Sequence, residues 1–407
     1  DPGAAAFSRS RGDAHLVRRD YAAALCDFQR AHALLTTALP AGAAPVLVKI
    51  ARCRLHLGEH APAMLAVREA LSIDPAGAAA LALKKRLAAI ESGVEAYQHA
   101  RARRQWRAAR LAYGSCAKAY TEDGTALPVA IRCWEVEVAV AEAQWAEALP
   151  VSAGILATHP RSAEALRTRA EVLFFTADLG EALRQVVAAL KLDPDDDEAK
   201  AARARYKGVM DLKEEGNTHW RSGDSGGAVE KWTSALELVG EKEEEGGGGR
   251  IRAILLLNRS RAHLKLGQHP DALKDANAAE KRDPDNVKIV VTRARIYVGL
   301  ELFDSAIQEF KAALQADASK LSAVDRRTVQ GELDNVEERA MRERTKVKDY
   351  YEILGLDRNC TTAEIRKAYR AQSLKNHPDK GGIAEKFRLV QEAYNTLSDP
   401  TKRWSYD

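Results

Sequence analysis

A pattern that recurs eight times fixes what this chain can fold into: a short polar turn, then an aromatic residue or histidine, then a small residue three positions later. It occurs at Tyr21 and Ala24, His60 and Ala63, Trp106 and Ala109, Trp145 and Ala148, Ser225 and Ala228, His269 and Ala272, and Phe303 and Ala306, with Leu179 and Ala182 as a variant. Ala148 to Ala182 and Ala272 to Ala306 are each 34 residues, and Ala24 to Ala63 and Ala109 to Ala148 are each 39, the period of a repeated helix pair. One such pair cannot bury its apolar face alone, so successive pairs must stack. The small residue lets the two helices approach. At Asp74-Pro75, Asp193-Pro194 and Asp283-Pro284 proline can open a helix and aspartate can cap it, which marks junctions between pairs. The expected fold is all-α, about eight stacked helix pairs.

Longer gaps mark seams. Ala63 to Ala109 and Ala182 to Ala228 are each 46 residues and contain the extra helix-forming runs 81–90 and 198–207. The 44 residues from Ala228 to Ala272 hold 241–249, acidic and then glycine-rich, which reads as a flexible surface insertion. The seams predict three blocks, 1–91, 92–208 and 209–318. A charged, proline-free stretch, 319–346, follows. Its Leu321, Val324, Leu333, Val336 and Met341 stand near helical spacing and predict a capping helix leading into a last domain, 347–407. Asp1-Pro2 repeats the junction pattern, so block one is expected to be N-terminally incomplete, and the stop at Tyr406-Asp407 predicts a trimmed tail.

Composition excludes several functions. With 62 basic against 58 acidic residues the net charge is +4, so no global field favours nucleic acid or an anionic membrane. Five widely spaced cysteines without a C-x-x-C pair argue against a disulfide framework or a zinc site and for buried thiols in a reducing compartment. No apolar run reaches the length of a membrane span. The expected location is the cytoplasm, with the nucleus also open to the protein. No Ser-His-Asp, metal or phosphate-loop constellation is visible, so the expectation is a non-enzyme with no catalytic residue, cofactor or metal.

The last domain carries the sharpest motif. Thr361-Thr362-Ala363-Glu364 has the form of a capping box and should start a helix. Ile365, Ala368, Tyr369 and Leu374 fall on its apolar side and Arg366, Lys367, Arg370 and Lys375 largely on the other. Pro378 ends it, leaving His377 and Asp379 in a loop. Phe387, Val390, Tyr394 and Leu397 form the returning amphipathic helix, and Pro400 suits the first turn of one more. The order Tyr350-Tyr351-Glu352-Ile353-Leu354-Gly355-Leu356, Ile365 to Arg370, His377-Pro378-Asp379-Lys380 and Leu397-Ser398-Asp399-Pro400 resembles the J domain of the DnaJ family, and the repeats resemble tetratricopeptide (TPR) repeats. The resemblance implies a co-chaperone. His377, Pro378 and Asp379, with Arg366, Lys367, Arg370 and Lys375, would dock on the ATPase domain of the seventy-kilodalton heat-shock chaperone and stimulate its hydrolysis.

The third block adds a second resemblance. Lys213 and Asn217, four apart on one helix face, with Asn258 and Lys288 on later first helices, are similar to four of the five positions of the carboxylate clamp of TPR co-chaperones. That implies binding of the Glu-Glu-Val-Asp tails of the seventy- and ninety-kilodalton chaperones. Thr292 stands where the clamp's arginine would be, with Arg293 beside it, so Thr292→Arg is expected to tighten tail binding. Two rival readings stay open: an endoplasmic-reticulum TPR J-protein that binds unfolded clients directly, and a TPR scaffold with a degenerate J domain.

Overall fold

The chain was analysed as a computed structural model, which describes residues 2–38, 42–122, 124–316, 321–345, 349–377 and 383–407. Each recurrence of the sequence pattern opens a second helix. The pairs are α1 (Pro2–Val17) with α2 (Tyr21–Ala38), α3 (Ala43–His56) with α4 (His60–Ile73), α5 (Ala78–Ala102) with α6 (Trp106–Thr121), and α7 (Val129–Ala141) with α8 (Trp145–Thr158). They continue with α9 (Ala163–Phe175) and α10 (Leu179–Leu192), α11 (Asp197–Arg221) and α12 (Ser225–Val239), α13 (Gly249–Lys265) and α14 (His269–Glu280), and α15 (Val287–Gly299) and α16 (Phe303–Gln315). The described residues contain helices and no strands, and the TPR expectation holds.

The turn inside every pair is built the same way. The residue two places before the second helix is left-handed: Arg19, Gly58, Arg104, Ala143, Ala177, Gly223, Gly267 and Glu301 all have positive φ. The next residue donates its N–H five residues back, as in Asp20 to the His15 carbonyl (2.9 Å), Gln144 to Ala139 (2.7 Å) and Leu302 to Tyr297 (2.9 Å). This is a Schellman closure, which satisfies carbonyls left open at the end of the first helix. Three positions into the second helix sits the small residue of the pattern. All eight of these alanines, from Ala24 to Ala306, are 0 % exposed.

The sequence seams do not coincide with breaks between helices. The runs 81–90 and 198–207 lengthen α5 and α11 to 25 residues each, so 91/92 and 208/209 fall inside continuous helices. Glycine is no breaker there. A Cβ on Gly93 would lie 2.8 Å from Cys116 Cβ, and one on Gly216 would collide with the Trp232 ring, so these glycines mark close helix crossings. Nor is 241–249 a loose insertion, since Glu244 pairs with Arg104 and Glu245 with Arg205.

The chain divides into two compact units, Asp1–Leu256 and Leu257–Asp407. In the first, Phe28, Leu47, Leu55, Leu87 and Ile90 lie in one buried cluster. In the second, α17 (Ala323–Thr345) covers α15 and α16 through Val329, Leu333 and Val336, with Leu321 just before it buried in the same cluster. Two residues of the expected capping stripe face outward instead, Val324 at 71 % and Met341 at 70 % exposed. The inward stripe advances from Leu333 to Val336 and Ala340, steps of three and four that track one face, and Met341 lies one residue, about 100°, off it. Four helices form the last domain: α18 (Tyr350–Leu354), α19 (Thr362–Lys375), α20 (Ala384–Leu397) and α21 (Pro400–Tyr406).

The left-handed turns predict opposite outcomes at two positions. Ala177, at φ 75°, carries a Cβ where glycine would be unstrained, whereas Gly223, at φ 88°, has nothing within 4 Å of a built Cβ. Ala177→Gly should raise and Gly223→Ala should lower the unfolding free energy, each by about 1 kcal/mol. Urea titration followed by circular dichroism reads both shifts, and equal signs for the two would refute the strain account.

Candidate functional site

The last domain builds its hairpin from the capping residues inward. At the start of α19 the Thr361 N–H donates to Glu364 Oε2 (2.7 Å), the Thr361 hydroxyl donates to the same oxygen (2.8 Å), and the Glu364 N–H donates back to Thr361 Oγ1 (3.3 Å). The hydrogen bonds from Thr361 hold the Glu364 carboxyl below the usual carboxylate range. Ile365, Val390, Ala393 and Leu397 are buried with Tyr351 and Leu354, and Tyr369 stacks on Tyr394 at 4.2 Å between centroids. Leu374, expected on the apolar side, is 61 % exposed, because nine residues of about 100° each carry it to the side of α19 opposite the buried Ile365. The C-terminal helix locks the base of the domain. Tyr351 Oη donates to Asp407 Oδ1 (2.8 Å) and accepts from Arg403 Nε (2.7 Å), and the Tyr350 N–H donates to Tyr406 Oη (2.9 Å).

Arg366, Lys367, Arg370 and Lys375 are all exposed, the first three within about 100° of one another on the outer face of α19 and Lys375 in its last turn. α19 ends at Lys375 and Asn376 caps it, donating Nδ2 to the Gln372 carbonyl (2.8 Å). His377 follows, partly buried, with its ring edge-on to Phe387 at 5.4 Å. Pro378 and Asp379 lie outside the described residues.

The other expected site residues fall in both compact units. In the first, Lys213 and Asn217 are partly buried on α11. Asn217 Nδ2 already donates to Glu214 Oε2 (3.0 Å), and Arg221 Nη1 donates to Glu214 Oε1 (2.9 Å). An incoming carboxylate would compete with Glu214 for that amide. In the second, Asn258 is partly buried on α13 and Lys288 is exposed in the first turn of α15.

Thr292 does not leave a gap for an arginine, which corrects the expectation. It is 1 % exposed, its hydroxyl donates to the Lys288 carbonyl (2.7 Å), and it accepts from Arg261 Nε (3.3 Å). Arg293 is not available either. Glu309 holds it through two bonds of 3.0 Å and Glu280 through a further pair. Arg261 is the cation that the sequence reading missed. Burial and the neighbouring Arg295 depress its pKa, and among the described residues no carboxylate pairs with it, whereas Arg295 is held by Glu332 at 2.9 Å. The available signal was spacing. Asn258 and Arg261 stand three apart and share a helix face.

Among the described residues no group of three or more His, Cys, Asp or Glu could hold a metal ion, and no helix is long and apolar enough to cross a membrane. Fold and hairpin together define a TPR-repeat protein that ends in a J domain. The DnaJ domain family matches residues 349–407, and a tetratricopeptide repeat family matches residues 257–320. DnaJ homolog subfamily C member 7 of Mus musculus is 32% identical over 296 residues, 69% of this chain and 57% of that protein. Its Schizosaccharomyces pombe homolog is 32% identical over 258 residues, 62% of this chain and 51% of that protein. A tetratricopeptide repeat and J domain-containing co-chaperone of Mycosarcoma maydis is 33% identical over 147 residues, 36% of this chain and 24% of that protein. The chain belongs to the TPR-containing J-domain proteins, and it spans about half the length of the first two of these relatives.

The burial of Thr292 reverses the expected effect of an arginine there. Thr292→Arg should cost about 3 kcal/mol, because it forces a second guanidinium against Arg261 in a closed space. A thermal melt that leaves the variant as stable as the parent would show that position 292 opens to solvent.

Proposed function

We propose that this protein is a co-chaperone without enzymatic activity of its own, which stimulates ATP hydrolysis by the seventy-kilodalton heat-shock chaperone. The observation that carries the reading is the exposed row of Arg366, Lys367, Arg370 and Lys375 leading to His377 in a matched J domain. Arg366, Lys367 and Arg370 on one helix face, with Lys375 exposed in the last turn, attract an acidic surface and steer its approach, an effect that falls as salt screens it. His377, Pro378 and Asp379 then make the specific contact. His377→Gln should abolish stimulation in a single-turnover ATPase assay while leaving helix content unchanged. Full stimulation by the folded variant would reject the assignment.

The TPR repeats, in this reading, hold the Glu-Glu-Val-Asp tails of the seventy- and ninety-kilodalton chaperones and assist transfer of unfolded clients between them. Asn258 and Lys288 are the proposed tail contacts of the second unit, and Lys213 and Asn217 those of the first. Arg261 joins the second unit's contacts, because a half-buried guanidinium that lacks a carboxylate gains most from an arriving one. The five free cysteines accord with a reducing cytoplasmic or nuclear location. Arg261→Gln should weaken a Glu-Glu-Val-Asp peptide by roughly tenfold in titration calorimetry on the whole chain, about 1.4 kcal/mol. Unchanged affinity would remove Arg261, and failure of both Arg261→Gln and Lys288→Ala to weaken the peptide would remove the tail-binding site.

A further inference from the structure

The acidic and glycine-rich stretch between repeats six and seven is seated against the first helices of the middle repeats. Glu245 receives Arg205 Nη1 on one oxygen (2.9 Å) and Nη2 on the other (2.6 Å), and Arg205 lies over the Phe174 and Phe175 rings at 5.3 and 5.5 Å. Glu244 pairs with Arg104 at 3.2 Å. Glycines make the close approach possible. At Gly246, φ 58°, a Cβ would come within 2.6 Å of the Val140 carbonyl and 2.7 Å of the Trp145 ring. At Gly249, φ 55°, it would come within 2.6 Å of the Phe175 carbonyl. The seat is thus specific to this sequence, with two glutamates in cationic sockets and a backbone that only glycine allows.

The fit is nevertheless incomplete. Beneath the segment lies a cavity of about 240 Å³, lined by Arg101, Arg104, Trp106, Glu137, Glu171 and Glu244. Trp106 Nε1 and Glu244 Oε2 are buried there without a hydrogen-bond partner. Burial, then Glu137 and Glu245, pushes the Glu171 carboxyl up to about 7, while Arg167 and Arg205 oppose the rise. A permanent staple would satisfy such groups, since each buried polar atom left unpaired is costly. A ligand that can be exchanged need not.

We propose that the groove formed by α5, α7, α9 and α11 is a binding site for an extended acidic peptide of a partner protein, and that residues 241–249 occupy it in cis as a tethered competitor. The charge and geometry of the groove describe the partner: consecutive glutamates for Arg104 and Arg205, flanked by residues small enough to pass Val140 and Trp145. An intramolecular occupant acts at an effective concentration on the order of millimolar, so only a partner that binds well or is presented locally displaces it. The site lies within the first unit and uses none of the tail-binding residues, so it stands or falls separately from them.

The test uses the whole chain and a fluorescent synthetic peptide with the sequence of residues 239–250. Glu244→Ala with Glu245→Ala should empty the groove and bind this peptide at least about tenfold more tightly than the unaltered chain. Adding Arg104→Gln should weaken that binding by about fivefold, as expected for loss of one partly exposed ion pair. If the folded double variant binds the peptide no better than the unaltered chain, the segment is a fixed part of the fold and the proposal fails. If the double variant loses helix content, hydrogen exchange on the unaltered chain decides. The Glu245 and Gly247 amides, which donate to the Lys242 carbonyl at 3.1 and 3.0 Å, should exchange faster with about 1 mM peptide present, and unchanged exchange overturns the proposal.

Discussion

Every repeat rests on one close approach, the crossing of its second helix over its first at a fully buried alanine. A larger side chain there would separate the helices and lose dispersion contacts along both. The crossing can recur only if the turn before it has constant length. The Schellman closure supplies that constancy, since a left-handed residue followed by one of near-constant conformation, such as Glu59 (φ −89°, ψ 64°) and Leu302 (φ −91°, ψ 66°), fixes both where the second helix starts and where it points. Five of the eight left-handed positions are not glycine, so packing at the crossings overrides local strain there.

Charged pairs then tie the helices of a repeat together at a fixed spacing. Arg11 with Asp27, Arg259 with Asp275 and Arg293 with Glu309 are each sixteen residues apart and join a first helix to its partner. Asp27 and Asp275 are buried, at 6 % and 5 % exposed, so these aspartates are compensated charges inside the repeat rather than surface pairs. Where this bonding is saturated, as at Arg293, the residue has nothing left to offer a ligand. Where it is not, as at Arg261, the same kind of side chain becomes a candidate anchor. Pairing inside the fold therefore selects the cations that remain for binding.

The J domain is stabilised apart from the face it presents. Its core comes from Ile365, Val390, Ala393 and Leu397 with the Tyr369 and Tyr394 stack, and its base is closed by Tyr351, Arg403 and Asp407. None of the four exposed cations of α19 enters that core. The hairpin can thus vary its outer charge without loss of fold, and substitutions on the two sides should report different properties.

Much of this was legible in the sequence because local chemistry repeats. The eight second-helix starts, the eight buried alanines, the Thr361 and Glu364 capping box and the helix opened by Pro400 follow from residue types at fixed spacing, which act over one or two turns and need no distant partner. The fate of the residues between those marks depended on contacts far along the chain. The seams drawn at 91/92 and 208/209 turn out to lie inside continuous helices whose Gly93 and Gly216 meet Cys116 and Trp232, and 241–249 reads as a loose insertion until Arg104 and Arg205 are found to receive its glutamates. Thr292 looked like an open clamp position because helical spacing gives a residue's direction but not what stands there. Periodicity determined where the helices are, and only tertiary packing decided which polar groups were already spent on one another.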